Sequence, residues 1–180
     1  MEKGNDFALE VVSVRLVREA PILSRTGIRT AEDAVRLVGR ELCGMDREVV
    51  CVINLMADQT PVNCHFASVG ILDYSLAHPR ELLKTGILSN AAGMLLCHNH
   101  PSGNLLPSED DVKLTDRMQQ VCGLVGIGLL DHVVVGGDNS RYFSFREKGL
   151  VKNPCMDYET DYRKLEWDRV AEAAERGGRR

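Results

Sequence analysis

A chain of 180 residues holds one domain, or one domain with a short appendage, and is long enough to bury a core. Hydrophobic residues at 44% and charged residues at 27% are ordinary for a soluble globular protein, and a net charge of -4 gives no reason to expect polyanion binding across the surface. No apolar run reaches about 18 residues, no apolar signal core follows Met1, and the six cysteines are scattered without a Cys-x-x-Cys, so a membrane span, a secretory leader, a disulfide framework and a zinc ribbon are disfavoured and a cytoplasmic setting is expected.

Residues 7–17 are β-branched and roughly alternating, which predicts a strand, with a slip at Val11-Val12. A loop with Pro21 and Gly27 leads to Thr30, a predicted cap for a helix through Cys43 whose apolar face is Ala34, Val35, Val38 and Leu42. The run from Glu48 to Met56 has too few polar residues for a half-exposed strand, so it should be central. A turn at 57–61 leads to its partner at Val62 to Val69. The next helix starts with Pro79 at its first position and runs to Asn90, buried through Leu82, Leu83, Ile87 and Leu88. Gly86 inside it costs up to about 1 kcal/mol relative to alanine and would permit close packing. Ala92 to Cys97 is a strand. Ser108 to Cys122 is a helix with Val112, Met118 and Val121 as core positions. Strands at 127–135 and 141–145 follow, joined by a Gly-Gly-Asp-Asn-Ser turn. Residues 151–180 form a charged extension, helix-prone from Asp157 to Arg176, with a disordered tail expected at 176–180.

The chemistry concentrates in Cys97-His98-Asn99-His100-Pro101-Ser102-Gly103 and its continuation Pro107-Ser108-Glu109-Asp110-Asp111. Residues i and i+2 of a strand share a face, so His98 and His100 can present both imidazoles to one point. Ser108 suits a helix N-cap, and Asp111 then falls at the third helical position. Two imidazoles and one carboxylate form the ligand set of a catalytic zinc site, with a fourth position left for water. Each fragment alone has a structural reading: hydrogen-bonded strand histidines, or an ordinary capping box. The four positions jointly are expected by chance in roughly one chain of this length in a few thousand, which favours a site.

On these residues the chain resembles the JAMM metalloproteases in the form carried by RadC-like proteins. The resemblance continues through His78-Pro79-Arg80-Glu81, Ser89-Asn90-Ala91-Ala92, Leu129-Leu130-Asp131-His132 and Tyr142-Phe143-Ser144-Phe145. It implies an α/β (mixed α+β) architecture: a JAB/MPN, deaminase-like fold with a central mixed β-sheet flanked by helices. It places the RadC-like domain at 46–150, with 1–45 as a strand and helix packed on it and 151–180 as the extension. It implies one zinc ion per chain on His98, His100 and Asp111, and cleavage of peptide or isopeptide bonds in a peptide or protein substrate. It also implies Glu48 as the general base that takes the proton of the activated water and returns it to the leaving amine, with the Ser108 hydroxyl beside the oxyanion. Glu81 is the rival base, although its place in a first helical turn has a plain dipole role. On sequence alone a glutamate leading a strand is usually solvated.

Asp131-His132 reads as a carboxylate–imidazole pair holding its strand, with support behind the metal ligands as the alternative. Arg80 is a surface cation or a brace for a site carboxylate. His65 and His78 read as structural or surface residues. Two other functions compete with the hydrolase. One is a non-proteolytic RadC-like binding module in DNA repair or mobile-element processes. Composition does not support it, and no helix-hairpin-helix pattern is visible in the first 45 residues; salt-dependent DNA binding would identify it. The other is a zinc deaminase, which needs His-x-Glu and Pro-Cys-x-x-Cys, and both are absent. The sequence leaves the oligomeric state open.

Overall fold

A computed structural model describes residues 13–24, 26–69 and 77–152. Thr30 opens helix α1 (Ala31–Cys43) with a full capping box: its hydroxyl accepts from Asp33 N–H, and the Asp33 carboxylate accepts from Thr30 N–H. Strand β1 (Val49–Leu55) is buried along its whole length, as its unbroken apolar run requires. It pairs antiparallel with β2 (Pro61–Val69) on one side and with β3 (Gly93–His100) on the other. Helix α2 (Pro79–Leu88) connects β2 to β3, and helix α3 (Glu109–Val125) connects β3 to its parallel neighbour β4 (Gly128–Gly136). A three-residue strand β5 (Tyr142–Ser144) closes the sheet antiparallel to β4. The order β2-β1-β3-β4-β5 is a five-stranded mixed sheet flanked by helices, the architecture expected above.

Two apolar layers sandwich the sheet. Cys51, Ile53, Leu95, Cys97, Val133 and Val135 face α1 and pack with Ala34, Val38 and Leu42. Val50, Val52, Met94 and Leu96 face the opposite way, toward α2 and α3, and pack with Leu82, Leu83, Leu114 and Met118. Even-numbered residues of β1 and β3 therefore share the α2/α3 face, and that parity assigns His98 and His100 to it.

Three expectations need correction, and a fourth lies outside the described residues. Residues 13–17 form no strand, and the rest of the predicted 7–17 strand lies outside the described residues. Helix α2 ends at Leu88; it buries Pro79, Leu82, Leu83 and Gly86, and leaves Ile87 and Leu88 exposed. The buried stripe turns through Gly86 because a Cβ there would lie 2.9 Å from Asn54 Oδ1 and 3.0 Å from Met94 Cε, so the helix seats where its side chain is missing. Helix α3 runs three residues past Cys122 to a left-handed Gly126, and it buries Leu114, Thr115, Met118 and Cys122 while Val112 is exposed. The 157–176 helix and the 176–180 tail lie outside the described residues.

Candidate metal centre

The site forms where β3 ends and α3 begins, outside the carboxyl ends of the parallel pair β3 and β4, where open α/β sheets leave a crevice. His98 and His100 leave the sheet on one face, and their Nε2 atoms are 2.9 Å apart. The loop 101–107 brings α3 back over them. Asp111 Oδ1 then lies 3.1 Å from His98 Nε2, and Oδ2 lies 3.4 Å from His100 Nε2. The two imidazoles are buried, while the Asp111 side chain is 15% exposed, so the site opens to solvent on that side.

Hydrogen bonds aim each group. The His100 Nδ1 is 2.7 Å from the Asn104 carbonyl. A carbonyl only accepts, so Nδ1 carries the proton toward Asn104 and Nε2 is the atom turned to the site. Asp111 Oδ2 accepts from both Ser108 N–H and Ser108 Oγ–H at 2.7 Å, and Ser108 Oγ accepts from Asp111 N–H at 3.1 Å. The capping box thus fixes the carboxylate and the start of α3 together. Burial would raise the Asp111 carboxyl, but the His100 and His98 rings facing it outweigh burial in their protonated forms and hold it well below the usual carboxylate range. The Asp111 hydrogen bond raises His100 from its ordinary value, with a smaller push from Glu48.

The donor set fits a metal cation. Three electron-pair donors that converge this closely repel unless a cation or a proton lies among them. Tetrahedral zinc with bonds of about 2.0 to 2.1 Å asks for ligand atoms about 3.3 Å apart. The two nitrogens approach different Asp111 oxygens at about that distance, and one ligand atom from each residue lies within 4.8 Å of the others, so small side-chain shifts would let the three share one ion. Among the described residues this is the one group of three metal-ligating side chains in reach of one another.

Glu48 stands exposed immediately before β1. Val50 and His98 are the last pair of the β1–β3 ladder, and the same register carried two residues further would bring Glu48 toward His100. Asn99 secures that approach from the other face. Its Oδ1 accepts from Val49 N–H at 2.8 Å, and its Nδ2 donates to the Arg47 carbonyl at 3.0 Å, so one side chain grips the peptide groups on both sides of Glu48. Glu81 instead pairs with Lys84 on α2, which accounts for it as a surface helix residue, and Arg80 is exposed beside it. His78 is the α2 N-cap: its Nδ1 accepts from Arg80 N–H.

The expected Asp131–His132 pair does not form. Neighbours on a strand point to opposite faces. The Asp131 carboxylate accepts from Ser144 Oγ–H at 2.6 Å, from Arg146 N–H and from the backbone N–H of His132. Burial raises its carboxyl above the ordinary value. The His132 ring lies behind His98, with Nε2 2.8 Å from His98 Nδ1 and Nδ1 2.6 Å from Thr115 Oγ1. Burial pushes His132 well below the usual histidine value. Thr115 and Asn99 carried no sequence signal: a threonine inside a helix and a polar residue between two histidines have many ordinary uses.

A family model described as a RadC-like JAB domain matches residues 28–150. A UPF0758 protein of Desulforamulus reducens is 37% identical over 137 residues, 76% of this chain and 60% of that one. A UPF0758 protein of Moorella thermoacetica is 39% identical over 129 residues, 72% of this chain and 56% of its own. A UPF0758 protein of Rubrobacter xylanophilus is 35% identical over 144 residues, 78% and 62%. The chain therefore spans about 56 to 62% of the length of these relatives. No helix among the described residues is long and apolar enough to cross a membrane.

Proposed function

The chain belongs to the RadC-like JAB domain family, and from that premise we propose that it is a zinc-dependent hydrolase of peptide or isopeptide bonds. The observation that carries this reading is the convergence of two imidazole nitrogens and one carboxylate on an open face, with an exposed glutamate just before the start of the neighbouring strand. His98, His100 and Asp111 would hold the ion. Zinc in such a site supplies a Lewis acid and lowers the pKa of bound water toward about 7.

The chain's own groups divide the rest. The Glu48 carboxylate takes a proton from the attacking water as its oxygen bonds the carbonyl carbon. It returns that proton to the amide nitrogen as the carbon–nitrogen bond breaks. Glu48 is exposed and sits next to a buried strand, so it can meet both water and leaving group without a change of fold. Ser108 keeps Asp111 in place, and its hydroxyl proton is committed to Oδ2. Service to the oxyanion requires that proton to leave Oδ2 by rotation of the hydroxyl about its Cβ–Oγ bond. A groove of about 370 Å³ borders the site loop between Asn104, Leu105 and Leu106 on one side and Tyr142 and Phe143 on the other. It offers an extended peptide a place along the loop whose Asn104 carbonyl holds His100, although the three ligand residues do not line it.

The deciding experiment is elemental analysis of the purified chain grown with zinc, with Asp111→Ala alongside, followed by a peptide panel with a chelator and Glu48→Gln. The expected outcome is about one zinc per chain, lost in Asp111→Ala. Cleavage should be blocked by the chelator and abolished in Glu48→Gln with zinc retained. A wild-type chain that takes up no zinc overturns the metal assignment. Normal turnover by Glu48→Gln overturns the base assignment.

A further inference from the structure

Strand β4 holds one residue too many for its pairing with β3. Leu129 is level with Met94, yet Asp131 is level with Leu95, so Leu130 bulges. A bulge of one residue reverses the face of every later side chain. In an unbroken register His132 would be level with Cys97, on the side of α1. With the bulge it is level with Leu96, on the side of His98 and α3. The ring is fully buried there, and Phe145 stacks on it with centroids 4.9 Å apart and planes 10° from parallel.

Counting protons gives the chain of hydrogen bonds a direction. Thr115 Oγ1 lies 2.7 Å from the Asp111 carbonyl oxygen and 2.6 Å from His132 Nδ1. The hydroxyl has one proton and the carbonyl has none, so that proton goes to Asp111 O. Thr115 must then accept, and His132 Nδ1 donates to it. His132 is fully buried and its two ring nitrogens meet Thr115 and His98 rather than a carboxylate, so it stays neutral and its Nε2 holds a lone pair. That lone pair accepts from His98 Nδ1–H across 2.8 Å. One nitrogen of His98 remains, Nε2, and its lone pair points at Asp111 Oδ1 and His100 Nε2.

We propose that Thr115 and His132 are positioning residues that hold His98 in the tautomer able to bind a metal cation. The inference rests on the metal-site reading above and deepens it. The same chain ends on the backbone of Asp111, so β4 ties a ligand of β3 to a ligand of α3. Histidine takes the place usually held by a carboxylate or carbonyl behind a metal-bound imidazole. A histidine can point its proton either way, so the order depends on Thr115.

The test uses the full chain labelled with ¹⁵N-histidine, and reads tautomers by long-range proton–nitrogen correlation and zinc affinity by chelator competition. In wild type, His98 and His132 should both carry hydrogen on Nδ1. Thr115→Val keeps the shape but removes the acceptor. His132 is then free to move its proton to Nε2, which drives the His98 proton onto the ligand nitrogen. The expected result is a changed His98 tautomer and zinc binding weakened by about 10- to 100-fold, with Thr115→Ser restoring both. Wild-type His98 with its proton on Nε2 overturns the proposal, even where Thr115→Val fails to fold. An unchanged tautomer with zinc affinity within twofold in folded Thr115→Val also overturns it. The tautomer readout needs no substrate, so a chain with this proton order that binds zinc and cleaves nothing sinks the hydrolase reading and leaves this one standing.

Discussion

Asn99 shows how much of the site is held by groups that would never touch a substrate. Its amide satisfies the Val49 N–H and the Arg47 carbonyl, and Val49 is only 1% exposed. Asn99→Ala leaves that buried N–H without a partner, at a cost of about 1 to 3 kcal/mol. Urea unfolding should read that loss while zinc stoichiometry stays at one per chain, because His98 and His100 leave the strand on the other face. Cleavage should fall, since the segment carrying Glu48 is no longer gripped. Unaltered stability in Asn99→Ala would show the grip to be idle.

At the scale of elements, the site depends on how closely β4 can approach the loop that follows β3. Gly136 is level with His100, and a Cβ there would lie 3.1 to 3.2 Å from backbone atoms of Gly103. Gly103 N–H bonds the His100 carbonyl, and Asn104, next in the loop, holds His100 Nδ1. Gly136→Ala therefore presses on a backbone that cannot rotate out of the way. It should destabilise the fold by about 1 to 3 kcal/mol and weaken zinc binding through His100. Equilibrium unfolding with and without zinc would separate the two effects, and a variant as stable as wild type would mean that the loop gives freely. The Leu130 bulge acts at the same scale: one extra residue decides which side of the sheet receives His132.

For the whole molecule, a ligand that binds only the folded chain stabilises it. Zinc at one hundred times its dissociation constant adds about 2.7 kcal/mol, or roughly 5 to 10 °C in melting temperature for a domain of this size. Wild type should lose that increment in a chelator, and Asp111→Ala should melt at one temperature with or without zinc. Equal zinc shifts in both would place the ion elsewhere. The order of elements, the central place of β1, the cap at Thr30 and the spacing of His98, His100, Ser108 and Asp111 could all be read from the chain, because each follows from local periodicity and capping chemistry acting over a few residues. Alternation alone misread residues 13–17, and volume-blind patterning put Ile87 and Val112 in the core where Gly86 and Thr115 serve. Three things needed the tertiary structure: the antiparallel pairing that brings the start of β1, with Glu48 just before it, beside the end of β3, the bulge that turns His132 toward His98, and the reach of Asn99 across about fifty residues of sequence to the start of β1. Those are pairings between distant segments, and their geometry is decided when the strands pack rather than by the residues next to one another in the chain.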